Sequence, residues 1–251
     1  MKYAADFRAL ARKALKDNWG KAVIVTLVAT LLGGIGSGGP KVEVNFRGSN
    51  VTADLNIAGL NIFSASSSGI DPAFGGILAA GTAYVLLAAL VFAAVYLLLG
   101  SVVEVGYSRF NLELADGREG SFEQLFRYFP SWKNAVCTRL LKGLYICLWS
   151  FLLIIPGIIA SYSYAMTGYI LAERPQLSAK EALEASKQMM KGNRWRLFCL
   201  QLSFLGWQLL SALTLGVGNL WLNPYRMAAE AAFYREISGT VVSGEGVNVE
   251  F

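Results

Sequence analysis

From Gly143 to Ala172 the chain carries no charged residue, and Pro156-Gly157 lies near the middle of that run. A straight helix of this length would reach about 45 Å, well beyond the ~30 Å hydrocarbon core of a bilayer. The segment has to tilt strongly or break. A proline removes a helix hydrogen bond and clashes with the preceding turn, and a following glycine loosens the backbone. The sequence therefore predicts a hinge at Pro156-Gly157, and that hinge sets the direction of everything after it.

Three further charge-free windows, Ala22 to Pro40, Pro72 to Val103 and Leu197 to Tyr225, are each long enough to span a bilayer. With 55% hydrophobic and 16% charged residues and a mean hydropathy of +0.45, the chain is more apolar than an ordinary globular domain. Lys2, Arg8, Arg12, Lys13, Lys16 and Lys21 precede the first apolar window, and no clear small-residue cleavage pattern follows it. That argues for a retained N-terminus rather than a secretory signal peptide.

A net charge of +5 and a pI near 9.1 would suggest nucleic acid as the partner of a soluble chain. The placement of the charges points instead to membrane topology, and no nucleic-acid partner is expected. Six Lys or Arg lie before Ala22, six from Glu104 to Lys142 and six from Glu173 to Arg196, whereas Lys41 to Asp71 holds only Lys41 and Arg47. By the positive-inside rule the three rich stretches are cytoplasmic and the poor one faces out. Cys137, Cys147 and Cys199 fall in or beside apolar segments and read as small packing residues, not a disulfide framework.

Along the chain, Phe7, Leu10, Ala11, Ala14 and Leu15 form an apolar stripe opposite Arg8, Arg12, Lys13 and Lys16, the pattern of an amphipathic helix on the membrane surface or of a solvated extension of the first span. Residues 36 to 71 form an outward loop whose alternation at Val42, Val44 and Phe46, then Val51, Leu55 and Ile57, predicts a small β-hairpin or ribbon. Ala79 with Ala83 and Ala89 with Ala93 place small residues four apart, as close helix packing needs. Phe122, Leu125, Phe126 and Phe129 predict a second surface helix. Ser178 with Glu181 is a capping box opening a helix to Lys191. A fifth span from Trp195 to about Leu215 and a return through Asn219 to Ile237 complete the count. The expectation is an all-α, polytopic protein with about six crossings, two of them short, in one membrane domain (1–237) followed by a loose tail (238–251). Four crossings with re-entrant elements is the alternative.

Pro156-Gly157-Ile158-Ile159-Ala160-Ser161-Tyr162-Ser163-Tyr164, Tyr169 to Glu173, Leu177 to Ala182 and Leu220-Trp221-Leu222-Asn223-Pro224-Tyr225 carry a resemblance. In that order, with the opening stretch Ala11 to Trp19, they resemble the bacterial integral membrane family called domain of unknown function 975. The proline-glycine break is similar, more weakly, to the membrane domain attached to some glycerophosphodiester phosphodiesterases, although no phosphodiesterase domain is present. The family resemblance implies a multi-pass bacterial membrane protein without an assigned activity and carries no catalytic residues over, while the charge distribution places both termini on the inner side of the cytoplasmic membrane.

The chain has no histidine, which removes Ser-His and Cys-His nucleophile pairs and HExxH zinc sites. Asp6, Asp17, Asp54, Asp71 and Asp116 all lie outside the spans or at their edges, so paired intramembrane aspartates are not expected. The GxGxxG match at Gly34 to Gly39 precedes Pro40 instead of a helix and reads as a span exit. No enzyme activity, cofactor or metal is expected. Two polar features remain: the hydroxyl cluster Ser161, Tyr162, Ser163, Tyr164 and Thr167, which either binds a ligand or satisfies carbonyls around the break, and Arg226 with Glu230, four apart on the last span. The function expected is a structural or regulatory one, binding membrane lipids or another membrane protein. A transporter or export permease is the alternative, and the sequence assigns no oligomeric state.

Overall fold

Phe7, Ala11 and Leu15 recur every four residues, and the helix they form, α1 (Ala4–Leu15), buries all three. The stripe meets protein instead of lipid: the Phe7 ring stands edge-on to Phe233, 5.3 Å between centroids. This computed structural model describes residues 2–35, 41–47, 50–57, 60–67, 75–214 and 216–239. After α2 (Trp19–Leu31) come β1 (Lys41–Arg47), β2 (Asn50–Ile57) and β3 (Leu60–Ser67), an antiparallel meander with Val44 opposite Ala53 and Ala53 opposite Ala65. The predicted hairpin thus gains a third strand, and the rest of the chain is helical. The GxGxxG glycines after Ile35 and the tail beyond Gly239 lie outside the described residues, as do the side chains of Ala79, Ala83 and Ala89.

Helix α3 (Gly75–Ala115) runs past Glu104, where the apolar window ends. It continues because its charges find partners: Arg109 reaches Glu113 at 3.3 Å one turn on, and Glu104 faces Arg139 at 3.7 Å and Lys142 at 3.5 Å. The surface helix predicted next is absent. Phe122 and Phe129 sit on two short 3₁₀ turns, Phe122–Leu125 and Phe129–Ser131, with Phe126 between them, and the first turn presses against α3 at Gly106. A Cβ on Gly106 would lie 2.5 Å from the Gln124 and Leu125 carbonyl oxygens.

Helices α4 (Trp132–Leu152) and α5 (Ile154–Ser163) meet at Leu153, whose backbone is extended at φ −161° and ψ 144°. The break therefore falls three residues before Pro156. A proline clashes with the carbonyl four residues back, so α4 has to end by Leu152, whereas the first turn of a new helix tolerates a missing N–H. Gly157 supplies close approach, not a hinge: a Cβ there would lie 2.8 Å from Ser150 Cα. Then follow α6 (Thr167–Glu173), α7 (Ala179–Met189), α8 (Arg194–Leu202), α9 (Leu205–Leu213) and α10 (Asn219–Ile237). A turn at Ser203-Phe204 divides the predicted fifth span into α8 and α9.

These elements make three antiparallel hairpins. In the first, Lys21 pairs with Glu119 at 2.8 Å and the Thr26 hydroxyl meets that of Tyr107 at 2.8 Å, so α3 returns alongside α2. In the second, Tyr145 stacks on Tyr164 and Asn134 donates to the Leu177 carbonyl at 3.3 Å, so the charge-free run comes back to where it left. In the third, Arg196 pairs with Glu236 at 2.6 Å and Gln201 with Glu230 at 3.1 Å, so α10 returns along α8 and α9. The returning helices end together: Asp116 just past α3, Glu173 closing α6 and Arg235 in the last turn of α10 form one ion cluster.

The buried core lies at that end, with Tyr107, Phe110, Met166 and Phe233 almost fully covered. Toward the hairpin tips the apolar residues turn outward: Leu90, Leu148, Phe151, Ile155, Leu209 and Leu213 are all more than half exposed. Among the described residues two helical stretches, Leu90–Ala115 and Arg194–Leu213, are long and apolar enough to cross a membrane. The other passes are shorter or carry charges, such as Lys133, Arg139 and Lys142 on α4.

Candidate functional site

Arg226 and Glu230 share a face of α10 because a spacing of four brings side chains together on a helix. Their closest approach is 3.9 Å, with the Glu230 side chain 13% exposed and that of Arg226 30%. The nearer partner of Glu230 is on another helix: Gln201 donates from Nε2 to its Oε1 at 3.1 Å. Gln201 in turn accepts from the Tyr162 hydroxyl at 2.9 Å. A polar line thus runs from α5 through α8 to α10. Gln201 was the member not predicted; a lone amide among Leu197, Leu200 and Leu202 was the sequence signal for it.

The rest of the hydroxyl cluster stays outside this line. Ser161 is exposed, Ser163 donates to the Ile159 carbonyl at 2.7 Å, and Thr167 donates to the Tyr164 carbonyl at 2.8 Å. Tyr164 stacks on Tyr145. Serine and threonine here cover carbonyls near the ends of α5 and α6, and Tyr162 alone of the five reaches Arg226 and Glu230 through a partner.

Beside Arg226 a cavity of about 320 Å³ opens between α2, α9 and α10, lined by Thr30, Ile35, Gln208, Ala212, Asn219, Asn223 and Arg226. It lies toward the hairpin tips, away from the ion cluster. The Arg226 Nε is itself buried, without a hydrogen bond, and faces Glu230 at 3.9 Å. A larger recess, about 530 Å³, lies at the opposite end between the start of α2 and the first 3₁₀ turn, around Ile24, Phe122 and the Lys21–Glu119 pair. Lys21 holds the exposed Glu119 carboxyl below its usual range, and Glu123 adds a second carboxylate to that recess.

The ion cluster is the second polar centre, and sequence reasoning missed it. Arg235 reaches Asp116 Oδ2 at 2.6 Å and also Glu173 Oε1, while Tyr234 donates to Glu173 Oε2 at 2.6 Å. Arg118 adds a second cation on Asp116 at 2.7 Å. Carboxylates at helix C-termini oppose the helix dipole, and a cation there offsets both charges. Nearby, Tyr128 donates to the Ala172 carbonyl at 2.5 Å, and burial pushes its phenol pKa up. Asp116 and Glu173 had read as edge charges because their partner lies 119 and 62 residues away.

Residues 151–240 match the family described as Protein of unknown function (DUF975). That match spans 90 of the 251 residues. The resemblance drawn from Pro156 to Tyr225 holds over that stretch, and the opening stretch Ala11 to Trp19 lies outside it. No curated protein and no solved structure matches the chain. The DUF975 segment runs from the end of α4 through α10, so it supplies Tyr162, Gln201, Arg226 and Glu230 as well as Glu173 and Arg235. Thr30 of the cavity and Asp116 of the ion cluster come from the part before it.

Proposed function

We propose that this chain is a multi-pass, nonenzymatic protein of the bacterial cytoplasmic membrane that holds a membrane lipid at the cavity beside Arg226, in a structural or regulatory role. The observation that carries the reading is a polar cavity with the Arg226 side chain in its wall, set at the level where the surrounding helices expose Leu209, Leu213 and Trp221. A lipid matches both halves, its polar group in the cavity and its acyl chains on the apolar faces. Three hairpins whose open ends join at Asp116, Glu173 and Arg235 support six passes, and the basic stretches at those ends support a cytoplasmic placement of both termini.

Topology is tested in a chain with Cys137, Cys147 and Cys199 replaced by Ser. A Ser49→Cys variant is expected to react with a membrane-impermeant maleimide in intact cells, and Lys191→Cys only after permeabilisation. Reaction of Lys191→Cys in intact cells would overturn the arrangement. Lipid holding is tested by native mass spectrometry of the detergent-purified chain, where retained lipid is expected and its absence would remove the reading. A transport role is the second reading, favoured by the polar line Tyr162–Gln201–Glu230 leading away from the cavity. Solute flux into vesicles that stops with Glu230→Gln would move the function there.

A further inference from the structure

The lining of the cavity says which polar group it takes. Arg226 is the one ionisable side chain among its described lining residues, and no carboxylate faces the space. The other polar walls, Gln208, Asn219 and Asn223, are neutral amides that donate or accept. Glu230 stands behind Arg226, 3.9 Å from Nε, and its carboxylate is engaged by Gln201. It therefore compensates Arg226 only in part, and the cavity offers at most one positive charge. Arginine carries five N–H donors, Glu230 approaches it at Nε, and the side chain stays 30% exposed, so an oxyanion entering the cavity meets donors suited to it. Thr30 donates its hydroxyl to the Thr26 carbonyl at 2.8 Å, so toward the cavity it offers an acceptor. Ala212 and Asn219 at the mouth are exposed.

We propose that the cavity recognises a single oxyanion group of charge −1, a phosphodiester or a carboxylate, seated on Arg226 with amide hydrogens from Asn219, Asn223 or Gln208, and carrying a hydroxyl that donates to Thr30. A dianion exceeds the charge available, and a purely cationic or neutral group leaves the guanidinium unmatched. The volume, about 320 Å³, is at the low end of small-molecule pockets and fits a headgroup-sized moiety. Two sources present this chemistry, an anionic lipid headgroup and a soluble phosphodiester or carboxylate. The inference rests on the lipid-holding reading above for its setting and goes beyond it in naming the charge and the contacts.

The test uses the full chain in nanodiscs of phosphatidylcholine, with phosphatidylglycerol added stepwise, and measures thermal unfolding and bound lipid by native mass spectrometry. Phosphatidylglycerol is expected to raise the unfolding temperature and to be retained at least tenfold over phosphatidylcholine. Arg226→Gln should abolish that preference and Arg226→Lys should keep part of it, because a point charge replaces a two-pronged donor. Asn223→Leu should weaken binding severalfold with circular dichroism unchanged. Displacement of the lipid by millimolar glycerophosphoglycerol supports the same recognition with a soluble source. Equal retention of both lipids, with Arg226→Gln indifferent and Asn223→Leu releasing both, would overturn the anion assignment while leaving lipid holding in place. No lipid retained by any variant would overturn both.

Discussion

Gly157 and Ser150 face each other across the turn at Leu153 with no room for a methyl group, so that glycine is a contact and its neighbour Pro156 a helix start. Gly157→Ala is expected to lower stability by about 1–3 kcal/mol, the usual range for overpacking, with a Ser150→Gly partner change restoring part of it. Pro156→Ala should change stability by less than about 1 kcal/mol, because the first turn of α5 has no hydrogen bond for the proline to break. Thermal unfolding in detergent distinguishes the two, and a larger loss from Pro156→Ala would return the hinge to the proline. Residue by residue, the sequence was legible where chemistry and spacing are local. Arg226 and Glu230 lie four apart and could be paired on paper. Gln201 could not, because its role comes from α8 lying against α10. The hydroxyls at Ser163 and Thr167 were visible, but which of their two uses applied depended on where α5 stopped.

Helix α7 was the element most fully readable, and its cap is where local chemistry decides stability. Ser178 accepts from the Glu181 N–H at 3.4 Å, while the Ser178 N–H and hydroxyl both donate to Glu181 Oε2 at 2.8 Å. Ser178→Ala should cost about 1 kcal/mol locally, seen as faster amide exchange over Ala179 to Leu183. Those same hydrogen bonds hold the Glu181 carboxyl below its usual range. A depressed carboxylate contributes stability that is fully present above its unfolded pKa and is lost as pH falls through the folded value. Exchange in α7 should therefore quicken between about pH 5 and pH 3 beyond the intrinsic trend, and Glu181→Gln should flatten that dependence. Longer elements were harder to bound. The end of α3 was placed at Glu104 on charge alone, yet ion pairs along α3 and with α4 carry the helix to Ala115. The aromatic run at Phe122 to Phe129 has helical spacing but packs as 3₁₀ turns against Gly106, a preference set by α3 and not by its own sequence.

At the scale of the molecule, one arginine ties three hairpins. The Arg235 side chain is 10% exposed and that of Asp116 4%, so removing the cation leaves Glu173 without one and Asp116 with Arg118 alone. Arg235→Gln is expected to cost about 3–5 kcal/mol, and adding Asp116→Asn and Glu173→Gln should recover part of that loss. Additive losses in the triple variant would mean the cluster is solvated and marginal. The return of the charge-free run to where it left was legible in the charge map, whereas the ion cluster was not, since sequence distance hides a three-body contact. That distance also has a consequence in time. Asp116 and Glu173 leave the ribosome 119 and 62 residues ahead of Arg235. At roughly 5–20 residues per second, about 6–24 s separate Asp116 from Arg235, and Arg118 is the cation Asp116 has meanwhile. Until Arg235 arrives Asp116 leans on Arg118 alone and Glu173 lacks its cation, so the last turn of α10 is the latch that joins the hairpins.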